Sequence, residues 1–138
     1  MEPFLCFFRW EEVPGMLEKR IGAVAVIVGE EGWVINGPKA WCTFAGRANV
    51  LALLARTDPD AGQGAKGLSL FIVPKQSSTE HAFEEIQPGG GKLTGKADAT
   101  PGYRGMHSYT LQFENFFVPA DNLVGGPEGE GRGFYLQM

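Results

Sequence analysis

Twenty glycines and nine prolines punctuate these 138 residues so regularly that the apolar runs between them stay short. Ala23 to Val28 is a continuous run rich in Val and Ile, closed by Gly29-Glu30-Glu31-Gly32, a hairpin signal, before Trp33-Val34-Ile35 resumes. Asn36-Gly37 reads as the next turn, because both residues tolerate positive φ. Lys39 to Thr43 is then a third strand and Asn49 to Arg56 a fourth. The apolar run in that fourth segment also suits one buried helix, since periodicity does not separate the two, but its position between turns favours a strand. Thr57 to Gly67 is a loop of Asp, Pro, Gly and Ala. Leu68 to Val73 is a strand ended by Pro74. Gln76 to Ala99 is polar and Gly-rich, with a short strand at Phe83 to Ile86. Tyr109 to Phe113 and Asn115 to Val118 are the last strands, the second closed by Pro119. Short strands with turn signals at this spacing indicate an all-β fold, an antiparallel barrel or sandwich. The tail changes character. Pro127 to Gly133 reads as flexible, and Phe134 to Met138 as the first turns of a helix.

The length fits one domain with a core that needs no staples. A net charge of −4 and a pI near 5.2 argue against a nucleic-acid surface, and the only adjacent basic pair is Lys19-Arg20. Cys6 and Cys42 have no metal-like spacing and form no disulfide framework, which fits a reducing compartment. No apolar run approaches the ~20 residues of a membrane span. Phe4 to Phe8 is too short for a signal-peptide core and lacks a cationic start. A soluble, intracellular chain is expected.

Gly37 to Gly46, reading Gly-Pro-Lys-Ala-Trp-Cys-Thr-Phe-Ala-Gly, carries the densest chemical information. Strand alternation would put Trp41 and Thr43 on one face, where the indole offers a π surface to a flat heterocycle such as a flavin and the hydroxyl can bond a polar ring edge. The plainer alternative is a core Trp and a strand Thr, both favoured in β-structure. Cys42 alternates away as a small buried hydrophobe and could join a ligand contact only through its backbone. Lys39 would share the face of Trp41, although a lysine beside a turn is ordinarily solvated.

Other candidates fall away. Gly62-Gln63-Gly64-Ala65-Lys66-Gly67 matches a dinucleotide fingerprint by its letters, but a strand follows it where a helix is needed. Gly89 to Thr94 suggests a P-loop, yet lacks the upstream Gly and has Leu93 in place of Ser or Thr. Arg104, within Gly102 to Ser108, could fork onto an anion, but a β-turn whose Arg pairs with a surface carboxylate is favoured. His81 and His107 read as lone histidines, and no carboxylate cluster offers metal ligands. No catalytic or metal-binding residue is expected in this chain.

Four blocks in order resemble the middle domain of the acyl-CoA dehydrogenases over roughly Val24 to the end. They are the Trp-Val-Ile-Asn-Gly-x-Lys-x-Trp-x-Thr pattern at Trp33 to Thr43, the strand Leu68 to Lys75, the segment Gly102 to Ser108, and Phe113 to Pro119. After the last come Asn122-Leu123-Val124-Gly125 and Gly129-x-Gly131-x-Gly133-Phe134. Gly102 to Met106 and Leu123 to Gly126 are nearest the branch that includes the methylsuccinyl-CoA dehydrogenases. The match also favours a strand at Asn49 to Arg56.

The resemblance implies FAD as cofactor, with Trp41 and Thr43 against the isoalloxazine ring and the Cys42 backbone between them. It implies an acyl-CoA substrate desaturated between Cα and Cβ, and an electron acceptor such as an electron-transfer flavoprotein. A homo-oligomeric full-length enzyme follows, in the cytoplasm or, in a eukaryote, the mitochondrial matrix. Residues 1–22 match the family poorly, 23–126 would be the β domain, and 127–138 the hinge and start of a helical domain. Asn122 to Gly133 would form that hinge, with phosphate binding by its glycines the lesser alternative. The family's catalytic Glu belongs to that helical domain, so a fragment inactive alone is expected. The family's Thr-Glu-Pro-x-x-Gly-Ser-Asp loop is represented upstream only by Glu2-Pro3. Phe44 departs from the family's usual Asn, Gly or Ser, and could crowd the flavin edge. The rival from another class is a non-catalytic β-sandwich that binds a partner.

Overall fold

The computed structural model describes residues 5–6, 23–60, 65–102 and 107–137. Its strands are β1 (Leu5–Cys6), β2 (Val24–Val28), β3 (Gly32–Thr43), β4 (Val50–Arg56), β5 (Leu68–Pro74), β6 (Ala82–Ile86), β7 (Lys92–Ala97) and β8 (Ser108–Pro119). Two 3-10 turns, Ala120–Asn122 and Gly126–Gly129, lead to the short helix α1 (Gly133–Gln137). The strands form one sheet in the order β1-β4-β2-β3-β8-β7-β6, with β5 paired to β4. Pairing is antiparallel except where β4 meets β1 and, at Val24 and Arg56, β2. The all-β class holds.

The sheet curls until its ends face each other. Trp33 of β3 and Phe71 of β5, which are not neighbours in the sheet, meet edge-on with ring centroids 5.5 Å apart. Around them Ile35, Leu51, Leu53, Leu93, Leu111, Phe113 and Val118 close one interior. Side chains rather than a ladder join β5 to β6. The Lys75 ammonium lies 4.4 Å from the Phe83 ring centre, and the Gln76 amide donates to a Glu85 carboxylate oxygen at 3.1 Å.

The fourth segment is a strand, and its unbroken apolar run has a packing cause. Leu51 and Leu53 enter the main interior, while Ala52 and Leu54 join Leu68 and Leu70 in a second cluster on the opposite face, against Val124 and Phe134. A strand buried on both faces has no polar side to alternate with.

Three expectations are corrected. Asn36-Gly37 is no turn, because β3 runs straight through it. Opposite it, Ile35 pairs with Phe116 and Gly37 with Phe113, so β8 carries one extra residue there. Asn115, at φ 47, absorbs that residue, and its amide donates to the Asn36 side-chain oxygen at 2.8 Å. What read as two strands is therefore one strand with a bulge. Lys92–Ala97, read as loop, is a central strand between β6 and β8. The tail expected as flexible is bonded along β5. The Val124 amide donates to the Leu70 carbonyl at 2.9 Å, and the Gly131 amide to Ser69 Oγ at 2.8 Å. Helix α1 starts there as expected, and Met138 lies outside the described residues.

Candidate functional site

The end of β3 positions the candidate side chains, and a second bulge decides how. Lys39 pairs with Leu111 and Cys42 with Tyr109, three steps on β3 against two on β8. Trp41 lies within that extra step at φ 60, a conformation a bulky L-residue seldom adopts. Its indole is left 56% exposed, Cys42 is fully buried, and Thr43 is half-buried. The indole is thus not a core residue.

Lys39 overturns its expectation. The bulge breaks the alternation that would have put it beside Trp41, and its side chain is only 4% exposed, not solvated. Burial pushes its pKa down from 10.5 to about 8, with the neighbouring Cys42 sulfur pulling the other way. Nothing in the sequence marks this, because bulges depend on the partner strand.

Beyond Thr43 the chain turns through Phe44 to Arg47, then Ala48 and Asn49, into β4. Phe44 also has φ 60, its amide donates to the His107 carbonyl at 2.9 Å, and the Ala45 amide closes back onto the Cys42 carbonyl at 3.2 Å. A left-handed position explains why Asn or Gly suits it better than Phe. Gly46 lies flat on the Tyr109 ring, where a Cβ would come within 2.5 Å of the hydroxyl.

His107 is not alone. Its ring meets His81 at 4.9 Å between centroids. Among the described residues no group of three His, Cys, Asp or Glu could hold a metal ion. Arg104 and Gly62 to Gly64 lie outside the described residues. Gly89 and Gly90 form the hairpin turn between β6 and β7, held by the Gln87 amide on the Gly91 carbonyl at 2.7 Å. No helix among the described residues is long and apolar enough to cross a membrane.

A concavity of about 960 Å³ over β6, β7 and β8 includes none of Trp41, Cys42 or Thr43. The end of β3 thus displays an exposed indole on a strained backbone, with a half-buried hydroxyl two residues on.

The family model for "Acyl-CoA dehydrogenase, middle domain" matches residues 18–116. (2S)-methylsuccinyl-CoA dehydrogenase of Cereibacter sphaeroides is 44% identical over 107 residues, 78% of this chain and 18% of that protein. Mitochondrial 2-methylacyl-CoA dehydrogenase of Solanum tuberosum is 38% identical over 78% of this chain and 22% of its own length. The structure of butyryl-CoA dehydrogenase from Megasphaera elsdenii superposes with a TM-score of 0.62 at 25% identity, over 83% of this chain and 25% of that one. The chain thus spans about a fifth of the curated relatives it matches. The ordered sequence blocks, the curled antiparallel sheet and these matches agree: the chain belongs to the acyl-CoA dehydrogenase family, as its middle domain.

Proposed function

We propose that this chain is the FAD-contacting β domain of an acyl-CoA dehydrogenase, residues 23–126, with 127–138 leading toward a helical domain. One observation carries the proposal. Trp41 keeps its indole outside the core at a positive φ, two residues before the half-buried Thr43. A large apolar ring exposed at a conformational cost is economical only if something flat covers it.

FAD supplies the hydride acceptor for α,β-desaturation of an acyl-CoA thioester. Trp41 would hold the ring through its indole face, Thr43 would offer its hydroxyl to a polar ring edge, and the backbone at Cys42 would link the two. Burial of the Cys42 side chain holds that backbone in place. No proton-transfer role is assigned to the described residues, and turnover is expected only with the flanking domains. The whole enzyme is a homo-oligomer of the cytoplasm or mitochondrial matrix, passing electrons to an acceptor such as an electron-transfer flavoprotein. The family match and the relatives acting on branched and short acyl-CoA thioesters support this assignment.

The test joins this chain to the flanking domains of a close relative and measures dye-linked oxidation across short, long and branched acyl-CoA substrates. Turnover with bound flavin, with flavin lost in Trp41→Ala, is the expected result. A folded, flavin-free and wholly inactive assembly would favour the non-catalytic interaction module instead.

A further inference from the structure

Lys75, buried like Lys39 among the described residues, packs its ammonium against the chain path that leaves the candidate site. Lys75 follows Pro74 at the end of β5 and is only 6% exposed. Its Nζ donates to the carbonyls of Gly46 at 2.9 Å, Ala48 at 3.0 Å and Gln76 at 2.7 Å. An ammonium has three N–H donors, and these three carbonyls use them all.

Two of those acceptors belong to the turn that follows Trp41 and Thr43, and the neighbours of Lys75 complete the set. The Ser78 amide also donates to Gly46 at 2.8 Å, Ser77 Oγ to Arg47 at 2.8 Å, and the Lys75 amide to Asn49 at 2.8 Å. Four consecutive carbonyls, Gly46 to Asn49, are therefore held by three residues, Lys75, Ser77 and Ser78. Converging carbonyl dipoles repel one another unless a cation sits among them, and Lys75 is that cation. The ammonium also faces the Phe83 ring at 4.4 Å from its centre. From the other side, Phe44 is held by His107 and the Ala45 amide by Cys42.

We infer that Lys75 is a positioning residue for the Trp41–Thr43 end of β3. Its ammonium gathers the carbonyls of the following turn and so fixes the backbone on which indole and hydroxyl are displayed. The link to flavin rests on the function proposed above, while the hold on the turn does not.

The experiment uses the full 138-residue chain. Lys75→Ala should raise amide exchange at Phe44, Ala45 and Ala48 by at least about tenfold more than at Leu53 in β4, because charge-assisted bonds are lost only locally. Propylammonium should restore protection, and tetramethylammonium, a cation without N–H donors, should not. Lys75→Met keeps an unbranched stem of similar length and guards against a variant that fails to fold; it should show the same local loss. FAD affinity should fall in Lys75→Ala and return with propylammonium over the same concentration range. A uniform rise in exchange across the turn and Leu53, or equal rescue by tetramethylammonium, overturns the inference. If the unaltered chain binds no FAD while the local pattern and its rescue hold, the positioning role stands, and the flavin contact is decided by FAD affinity of the same variants joined to the flanking domains, where unchanged affinity sinks it.

Discussion

Lys39 and Cys42 stand three positions apart on β3 yet face Leu111 and Tyr109, two positions apart on β8. Both side chains are consequently buried, and Trp41 between them is left outside at φ 60. One extra residue in one strand thus creates both the buried cation and the exposed indole.

Trp41→Asn separates stability from binding. Asn accepts positive φ more readily than Trp, and the left-handed region costs an ordinary L-residue roughly 1–2 kcal/mol. The variant should melt at the same temperature or a few degrees higher. In the reassembled enzyme its FAD affinity should drop by about tenfold or more, as read by flavin fluorescence. A large loss of stability would mean that the indole is a packing residue.

Lys39 should make stability depend on alkaline pH. Its folded pKa of about 8 lies below the ordinary 10.5, so between those values the unfolded chain binds more protons. Stability therefore climbs as pH rises from about 8 to 10.5, by about 3 kcal/mol if no other group intervenes. Below pH 8 both states are protonated and the burial cost is present in full. Urea melts of the parent and Lys39→Met at pH 7 and pH 10 test this, since the substitution should flatten the rise.

Phe71→Ala should cost about 3–5 kcal/mol, the range for emptying an aromatic from a core. Phe71 is fully buried and supplies the edge contact to Trp33 across the interior. The near-ultraviolet circular dichroism of the folded variant should lose intensity with it. A cost under about 1 kcal/mol would show that the two ends of the sheet do not pack as described.

Ser69→Ala probes the tail. The buried Ser69 hydroxyl accepts from the Gly131 amide at 2.8 Å and shares a bond with Thr57 Oγ1 at 2.7 Å. Its loss leaves the Gly131 amide without this acceptor, at about 1–3 kcal/mol, while Thr57 Oγ1 keeps the Gly67 carbonyl at 3.3 Å. Limited proteolysis should then cut within Pro127 to Arg132 faster than in the parent chain. An unchanged cutting rate would mean that these bonds do not secure the tail.

Much of the fold was legible locally. The turn signals around Ala23 to Ile35 and Leu68 to Pro74 marked real strand ends, since Gly and Pro act on their own backbone. Asn36-Gly37 misled because its turn-like letters serve a bulge in β8, 79 residues away in sequence at Asn115. Lys92 to Ala97 was hidden by its polar, glycine-containing composition; Gly95 is there because the Phe83 ring occupies the space a side chain would need.

At the candidate site, the residue types Trp41, Cys42 and Thr43 and their order were written in the chain, as was the family to which they point. Which side each one faces was not. Alternation is a property of a single strand, whereas a bulge is a mismatch between two, and only the pairing of β3 with β8 sent Lys39 inward. The same holds for Lys75, whose acceptors lie 27 and 29 residues away at Ala48 and Gly46. Short-range preferences select strands and turns, but burial of a charge is decided by what the folded chain brings around it.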